Sequence, residues 1–494
     1  MARKASPRKR ARKLAFRRPG GVSSEGPSER SPSQPGPRPR RDLLLAGLLL
    51  LLLFLVYNSN FRAIRWDDSF PARFLPFSIL LDHNLYLDHW VEPRLAETRG
   101  ATGFYFVVKA RGHWMSMYPI ITPIAITPLY VLPAWWISRQ SPRLRPNSVR
   151  FNLIANTMEK LSASLIAALS AAVLFLALRK IASRSVSLAV ALIYSLASNT
   201  WAISSQALWR HGLTELSFAF LLWALFRVHD STRAPFWAGL ALAVASANKP
   251  LDALLVVPFL LYFGRRRWKD LLLFLAPLVA LGPLVLAYNL YFFGRLLGGY
   301  PAPTFVGGGS AHSFFLARWA VALTGSLVSP NRGLLVYTLW TAFSFWGAAR
   351  LWKEKSLAWD RALILSLAVI FTVQATGGDW WGGWCFGPRY LTDLLPFFAW
   401  FLVPVWTHIR AQPVLRVVFA ATVAVALWVQ VVGAFYYPAG DWDGWPVNVS
   451  FEPRRCWDWS DTQLGRSWRA GPAPPILLRE WKRLLQPRSG APQP

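Results

Sequence analysis

LLLAGLLLLLLFLVY, Leu43–Tyr57, contains no charged and no strongly polar side chain. An amphipathic helix of a soluble domain would break such a run with polar residues every turn. Here nothing breaks it, and its length approaches the ~20 residues that cross a bilayer core. LSASLIAALSAAVLFLAL (Leu161–Leu178) reads the same way. The whole chain agrees: of its 494 residues 54% are hydrophobic and only 16% charged, against roughly a quarter charged in soluble domains. Only helices and closed barrels satisfy every backbone polar group inside lipid. Runs this long and continuous specify helices, so the expected fold is all-α and polytopic.

The net charge of +30 would suit a nucleic-acid binder. Its distribution argues otherwise, because much of it lies in residues 1–41 and in short loops between apolar runs, where it orients helices. Residues 1–41 are basic, then rich in Pro, Ser and Gly, and read as a disordered cytoplasmic tail. Tail and first run together imitate a secretory signal, but no small-residue cleavage site follows Tyr57, so an uncleaved anchor is expected. Cys385 and Cys456 supply no disulfide framework, and unpaired thiols are the simpler expectation. Asn448-Val-Ser450 matches a glycosylation sequon.

Further apolar runs fall near 157–178, 186–204, 212–228, 235–248, 251–263, 270–291, 333–350, 361–376, 392–408 and 415–436. Basic connections, GRRRWKD (264–270) among them, are cytoplasmic by the positive-inside rule. YPIITPIAITPLYVLPAWW (Tyr118–Trp136) carries Pro119, Pro123, Pro128 and Pro133, and reads as a broken or re-entrant element. About eleven spans result, with twelve as the rival if that segment crosses. The expected domains are the tail 1–41, a membrane domain 42–436 with a long external first loop 60–117, and an external C-terminal tail 437–494.

With that parity, polar chemistry gathers on the external face. WDDSFPARFLPFSILLDHNLYLDHW, Trp66–Trp90, holds four carboxylates, two histidines and an arginine just beyond the first span. The pair Asp67 and Asp68 can supply a base for a hydroxyl nucleophile, or simply a solvated loop. Asp82-His83 and Asp88-His89 recur six residues apart, a weak metal-ligand pattern. No cofactor is specified; a divalent cation remains compatible with those four residues.

These residues resemble the GT-C superfamily of membrane glycosyltransferases, and within it a bacterial branch similar to protein mannosyltransferases (glycosyltransferase family 39-like). The resemblance covers about residues 40–465. Asp68, Ser69, Pro71, Arg73 and Pro76 match an Asp-Thr/Ser-x-Pro-x-Arg-x-Leu-Pro pattern in the first external loop. Tyr118-Pro119 opens an apolar helix, Trp209-x-His211-Gly212 supplies a second element, and Trp380 through Tyr390 a third. The chain departs from better-known relatives at residues 209–215, where Trp-Arg-His-Gly-Leu-Thr-Glu replaces an Arg-x-Asp motif. A second acid would then be Glu215 or come from elsewhere.

The resemblance implies a polyprenyl-phosphate sugar donor and transfer on the external face to an unidentified glycan, lipid or protein. It implies a multi-pass protein of the bacterial inner membrane, its site facing the periplasm. Asp68 would be the base, with Asp67 its neighbour. Arg389, Lys249 and Arg73 would bind the donor phosphate, although snorkelling or structural ion pairs explain such cations equally well. His211, Glu215, Asp379, Trp380, Trp381 and Trp384 would contact sugar or acceptor, the tryptophans alternatively forming an interfacial aromatic belt. A lipid-linked sugar carrier or flippase and a non-catalytic envelope-assembly protein are the rival readings. A carrier would place its polar residues at the membrane midplane in two related halves, whereas these charges cluster at span ends.

Overall fold

A computed structural model of the protein describes residues 39–64, 67–97, 104–140, 144–145, 148–300, 318–354, 359–377 and 379–486. The tail expected to be disordered lies outside these residues, except for its last three positions. Those three begin the first helix, α1 (Pro39–Asn58). Among the described residues the only sheet is a two-stranded antiparallel hairpin, and helix dominates, as the apolar runs require. Five helices are long and apolar enough to cross a membrane, or six if a pair bent by 55° counts as one span.

In α1 one stripe (Ala46, Leu49, Leu53, Tyr57) is buried, while Leu44, Leu48, Leu51 and Leu55 face outward. The spacing of three and four residues is that of one helix face. An all-leucine run carries no polar code for that face, so packing against the neighbouring helix defines it. After α1 the first loop folds over one end of the bundle. A 3-10 turn at Asp67–Ser69 leads into α2 (Phe70–Phe77), followed by α3 (Asp88–Glu97) and the hairpin β1 (Val107–Ala110) and β2 (His113–Ser116). Aromatic rings tie this cap together: Trp90 stacks on Phe151 at 4.8 Å, and Phe77 meets Tyr130 edge-on at 5.0 Å.

The proline-rich segment forms α4 (Ile121–Ile126), a 3-10 turn at Thr127–Tyr130 and α5 (Val131–Ser138). It is long enough to span, and three of its contacts are with residues of the capped end. Thr122 donates to Asn248 at 2.7 Å, Tyr130 packs on Phe77, and the Arg150 guanidinium lies 4.9 Å from the Trp136 ring.

The long helix α6 (Val149–Leu178) starts with Ser148 capping the Phe151 amide and runs the length of the bundle. Its buried Ala167, Ala168, Ala171 and Ala172 allow close packing. Then follow α7 (Arg184–Leu196), α8 (Arg210–Leu225), α9 (Ala234–Asn248), α10 (Val256–Gly264) and α11 (Trp268–Phe293). The second half contains α12 (Trp319–Val328), α13 (Leu334–Tyr337), α14 (Thr341–Glu354), α15 (Asp360–Ala375), α16 (Leu395–Phe401), α17 (Val403–Ala411) and α18 (Pro413–Phe435). Glycines let two of these crossings close: a Cβ on Gly239 would lie 2.0 Å from the Phe274 carbonyl oxygen, and one on Gly347 1.7 Å from that of Phe401.

Ion pairs mark the two ends of the bundle. At one, Asp42 at the start of α1 meets Arg184 at 2.5 Å, Lys180 meets Asp230 at 2.6 Å, and Arg266 donates to the Val228 carbonyl at 2.8 Å. Three basic connections, 179–184, 227–233 and 264–270, therefore lie together. At the other end lie the first loop, the start of α8, the end of α9 and the segment before α16.

The C-terminal region also belongs to this second end. Residues 437–486, including α19 (Gln463–Ala470) and α20 (Ile476–Leu485), pack closely onto it. Arg332 joins Asp443 at 2.7 Å, and Trp481 donates to Thr157 at 3.0 Å.

Candidate functional site

Four separate stretches meet beneath the cap: the turn at Asp68, the strand end at Tyr118, the start of α8 and the Gly-Pro-Arg-Tyr segment (387–390). Gly387 makes the last approach workable. Its φ of +65° favours glycine, and a Cβ there would sit 2.4 Å from the Tyr337 ring. The turn delivers Arg389 to Asp68 across 321 positions of sequence, Nη1 donating to Oδ2 at 2.6 Å. The other oxygen of Asp68 accepts from the Tyr118 hydroxyl at 2.6 Å and the Tyr105 hydroxyl at 2.7 Å.

The arginine is held by more than charge. Its guanidinium lies 4.3 Å from the Trp209 ring and 5.2 Å from that of Tyr390, a flat cation sandwiched by aromatics. Arg210 lies over Tyr118 at 4.9 Å and Tyr300 at 5.3 Å, and forms no carboxylate pair among the described residues. Asp68, Tyr118, Trp209, Arg210, His211, Arg389 and Tyr390 enclose a cavity of about 20 Å³, room for about one water.

Burial would raise the pKa of Asp68, but the adjacent Arg389 charge and the two tyrosine hydroxyls hold it below the usual carboxylate value. The site at rest is thus an ion pair: a carboxylate that accepts three hydrogen bonds, against a cation that gives it a single N–H from Nη1 while its buried Nε has no hydrogen-bond partner among the described residues.

Behind this pair stands a second one that sequence reasoning missed. Asp393, one helical turn after Arg389, accepts from His211 Nδ1 at 2.7 Å and from Lys249. Lys249 and His211, both expected to meet ligand, bind one buried carboxylate, whose position at the head of a predicted span was the available signal, and His211 also lines the cavity.

The other expected residues are placed as follows. Arg73 is buried in α2, bonded to Glu159 at 2.5 Å and Asn156 at 3.1 Å on α6; it braces the cap and does not line the cavity. It therefore does not pair with Asp68. Glu215, one turn past His211, is fully buried between Ser204 and Tyr194, each donating at 2.7 Å, and also stands outside the cavity. Asp379 accepts from the Tyr390 hydroxyl at 2.7 Å and so supports the lining from behind. Trp380 packs against Gly325, and Trp381 joins Trp442, Val449 and Cys456 in a small core. Trp384 is exposed and donates to Asn448 at 3.0 Å. None of these three tryptophans lines the cavity. The side chain of Asp67 lies outside the described residues.

The weak metal pattern does not converge. Asp82 binds His89 at 3.0 Å, Asp88 binds His113 at 2.7 Å, and His83 closes a left-handed turn at φ +53°. No three metal-ligating side chains gather among the described residues. Cys385 and Cys456 are both buried free thiols.

No family model, curated protein or solved structure matches this chain.

Proposed function

We propose that this protein is a membrane glycosyltransferase that takes a sugar from a polyprenyl-phosphate donor bound against the Asp68–Arg389 pair. The observation that carries the reading is the convergence of Asp68, Tyr118, Trp209–His211 and Arg389–Tyr390 on one small polar cavity at one end of an apolar bundle. The acceptor hydroxyl attacks the anomeric carbon, and the sugar–phosphate C–O bond breaks with its electron pair leaving on the phosphate. Asp68 takes the hydroxyl proton, and Arg389 neutralises the departing phosphate.

Arg389 serves both partners in turn. A phosphate that draws the guanidinium away from Asp68 removes the charge that depresses the Asp68 pKa, so donor binding makes the carboxylate a better base. Arg210, stacked on tyrosines without a carboxylate partner, supplies a second cation at the same wall. The apolar bundle beside the cavity accommodates the polyprenyl chain.

The proposed topology has eleven crossings, with the Tyr118–Trp136 segment remaining on the cavity side. Its contacts with Asn248, Phe77 and Arg150 support that reading. The basic connections at the opposite end favour a cytoplasmic placement there, and in a bacterial cell the cavity then faces the periplasm. The test is purified protein in liposomes given a panel of polyprenyl-phosphate sugars. Transfer releases polyprenyl phosphate in step with sugar loss from the donor, whereas a carrier returns every donor intact.

A further inference from the structure

At the opposite end of the bundle from Asp68, an apolar groove of about 760 Å³ opens between α10 and α15. Its walls are Leu254, Val257, Leu261, Leu365 and Val369, all more than a third exposed. No acidic residue lines it, and its mouth carries His229, Arg265 and Arg266. We propose that this groove binds an anionic phospholipid of the adjacent leaflet, with the acyl chains along the apolar walls and the phosphate at Arg265 and Arg266.

Three features select that occupant. The first is depth. From Arg265 back to Leu254 the chain climbs eleven residues, roughly 17 Å at helical rise, close to half of a ~30 Å hydrocarbon core. The apolar walls are thus long enough to seat the acyl chains of one phospholipid, and they follow most of the 251–263 crossing up from its basic end.

The second is charge. Four cations, Arg265, Arg266, Arg267 and Lys269, surround one acid in this turn. Asp270 is shared by Arg266 at 2.8 Å and Arg267 at 3.2 Å, which leaves Arg265 without an acidic partner among the described residues. The third is preorganisation: Arg266 also donates to the Val228 carbonyl at 2.8 Å and lies 3.3 Å from His229, so its guanidinium is already oriented at the mouth. A basic pocket between helices at this depth is suited to an anionic headgroup.

The groove shares no residue with the Asp68 cavity and has its charged mouth at the other end of α8 and α9, so the inference stands whether or not the transferase reading does. The full-length protein in detergent, titrated with phosphatidylglycerol or phosphatidylcholine and examined by native mass spectrometry, tests it. Phosphatidylglycerol is retained roughly tenfold more tightly than phosphatidylcholine. Arg265→Glu brings the two lipids level. Leu365→Trp and Val369→Trp fill the groove and weaken retention of both, while lipid-free melting temperatures show which variants remain folded.

Equal retention of the two lipids by the unaltered protein overturns the proposal, as does unchanged phosphatidylglycerol affinity in a folded Arg265→Glu protein. Undecaprenyl phosphate displacing phosphatidylglycerol at a lower concentration also overturns it, by assigning the groove to a donor-type lipid.

Discussion

Asp68 accepts three hydrogen bonds on two oxygens, and every consequence of the proposed chemistry runs through that arrangement. In the resting site the carboxyl titrates below its ordinary 3.8. Its contribution to stability is therefore complete above that value and disappears as pH falls through the lower folded value. Thermal melts across pH should show Asp68→Asn below the parent protein from neutral pH down to about pH 4, with the gap narrowing below that. A gap that widens on acidification contradicts the pairing with Arg389.

The arginine makes a separate prediction. Arg389→Ala should weaken donor binding roughly tenfold to a hundredfold, the range for a lost charged hydrogen bond. Arg389→Lys should recover only part, because an ammonium has no fork and stacks poorly between Trp209 and Tyr390. Isothermal titration with the donor reads both variants, and full recovery by lysine would remove the forked contact from the account.

At the scale of elements, the apolar runs were legible because length without charge leaves a segment few alternatives. The faces were less so. In α1 every position is apolar, so nothing in the sequence says that Ala46, Leu49, Leu53 and Tyr57 turn inward. The proline-rich segment was legible as broken, but its packing was not, because that depends on Thr122 finding Asn248.

Glycine positions, by contrast, become meaningful only once helices are placed. Gly239 and Gly347 look like ordinary membrane glycines until the Phe274 and Phe401 carbonyls are seen against them. Gly347→Ala should lower the melting temperature in detergent, an overpacking cost of about 1–3 kcal/mol. An unchanged melt would mean that the α14–α16 contact opens without cost.

Across the whole molecule, the sequence placed charge at span ends, and the structure sorts that charge into two opposed faces. Asp68, Arg389, His211 and Lys249 could each be singled out from sequence. Their pairing could not, since Asp68–Arg389 and Lys249–Asp393 join residues more than a hundred positions apart. Arg73 and Glu215 were drawn to the site by motif position alone, and the fold gives them partners of their own in Glu159 and Tyr194.

The proposed eleven crossings can be checked with cysteines introduced just after Gly264 and at the exposed Val447, each in a background where Cys385 and Cys456 are replaced. A membrane-impermeant maleimide should label the two from opposite sides of sealed vesicles. Labelling from the same side would contradict the parity.

The central claim is that bond breaking occurs at Asp68. The most direct measurement is turnover of a polyprenyl-phosphate sugar by Asp68→Asn protein in liposomes, with donor affinity and melting temperature measured on the same preparation. The account predicts a folded protein that still binds donor and releases polyprenyl phosphate about a hundredfold more slowly, or slower still. Full turnover in a stable Asp68→Asn protein would contradict it.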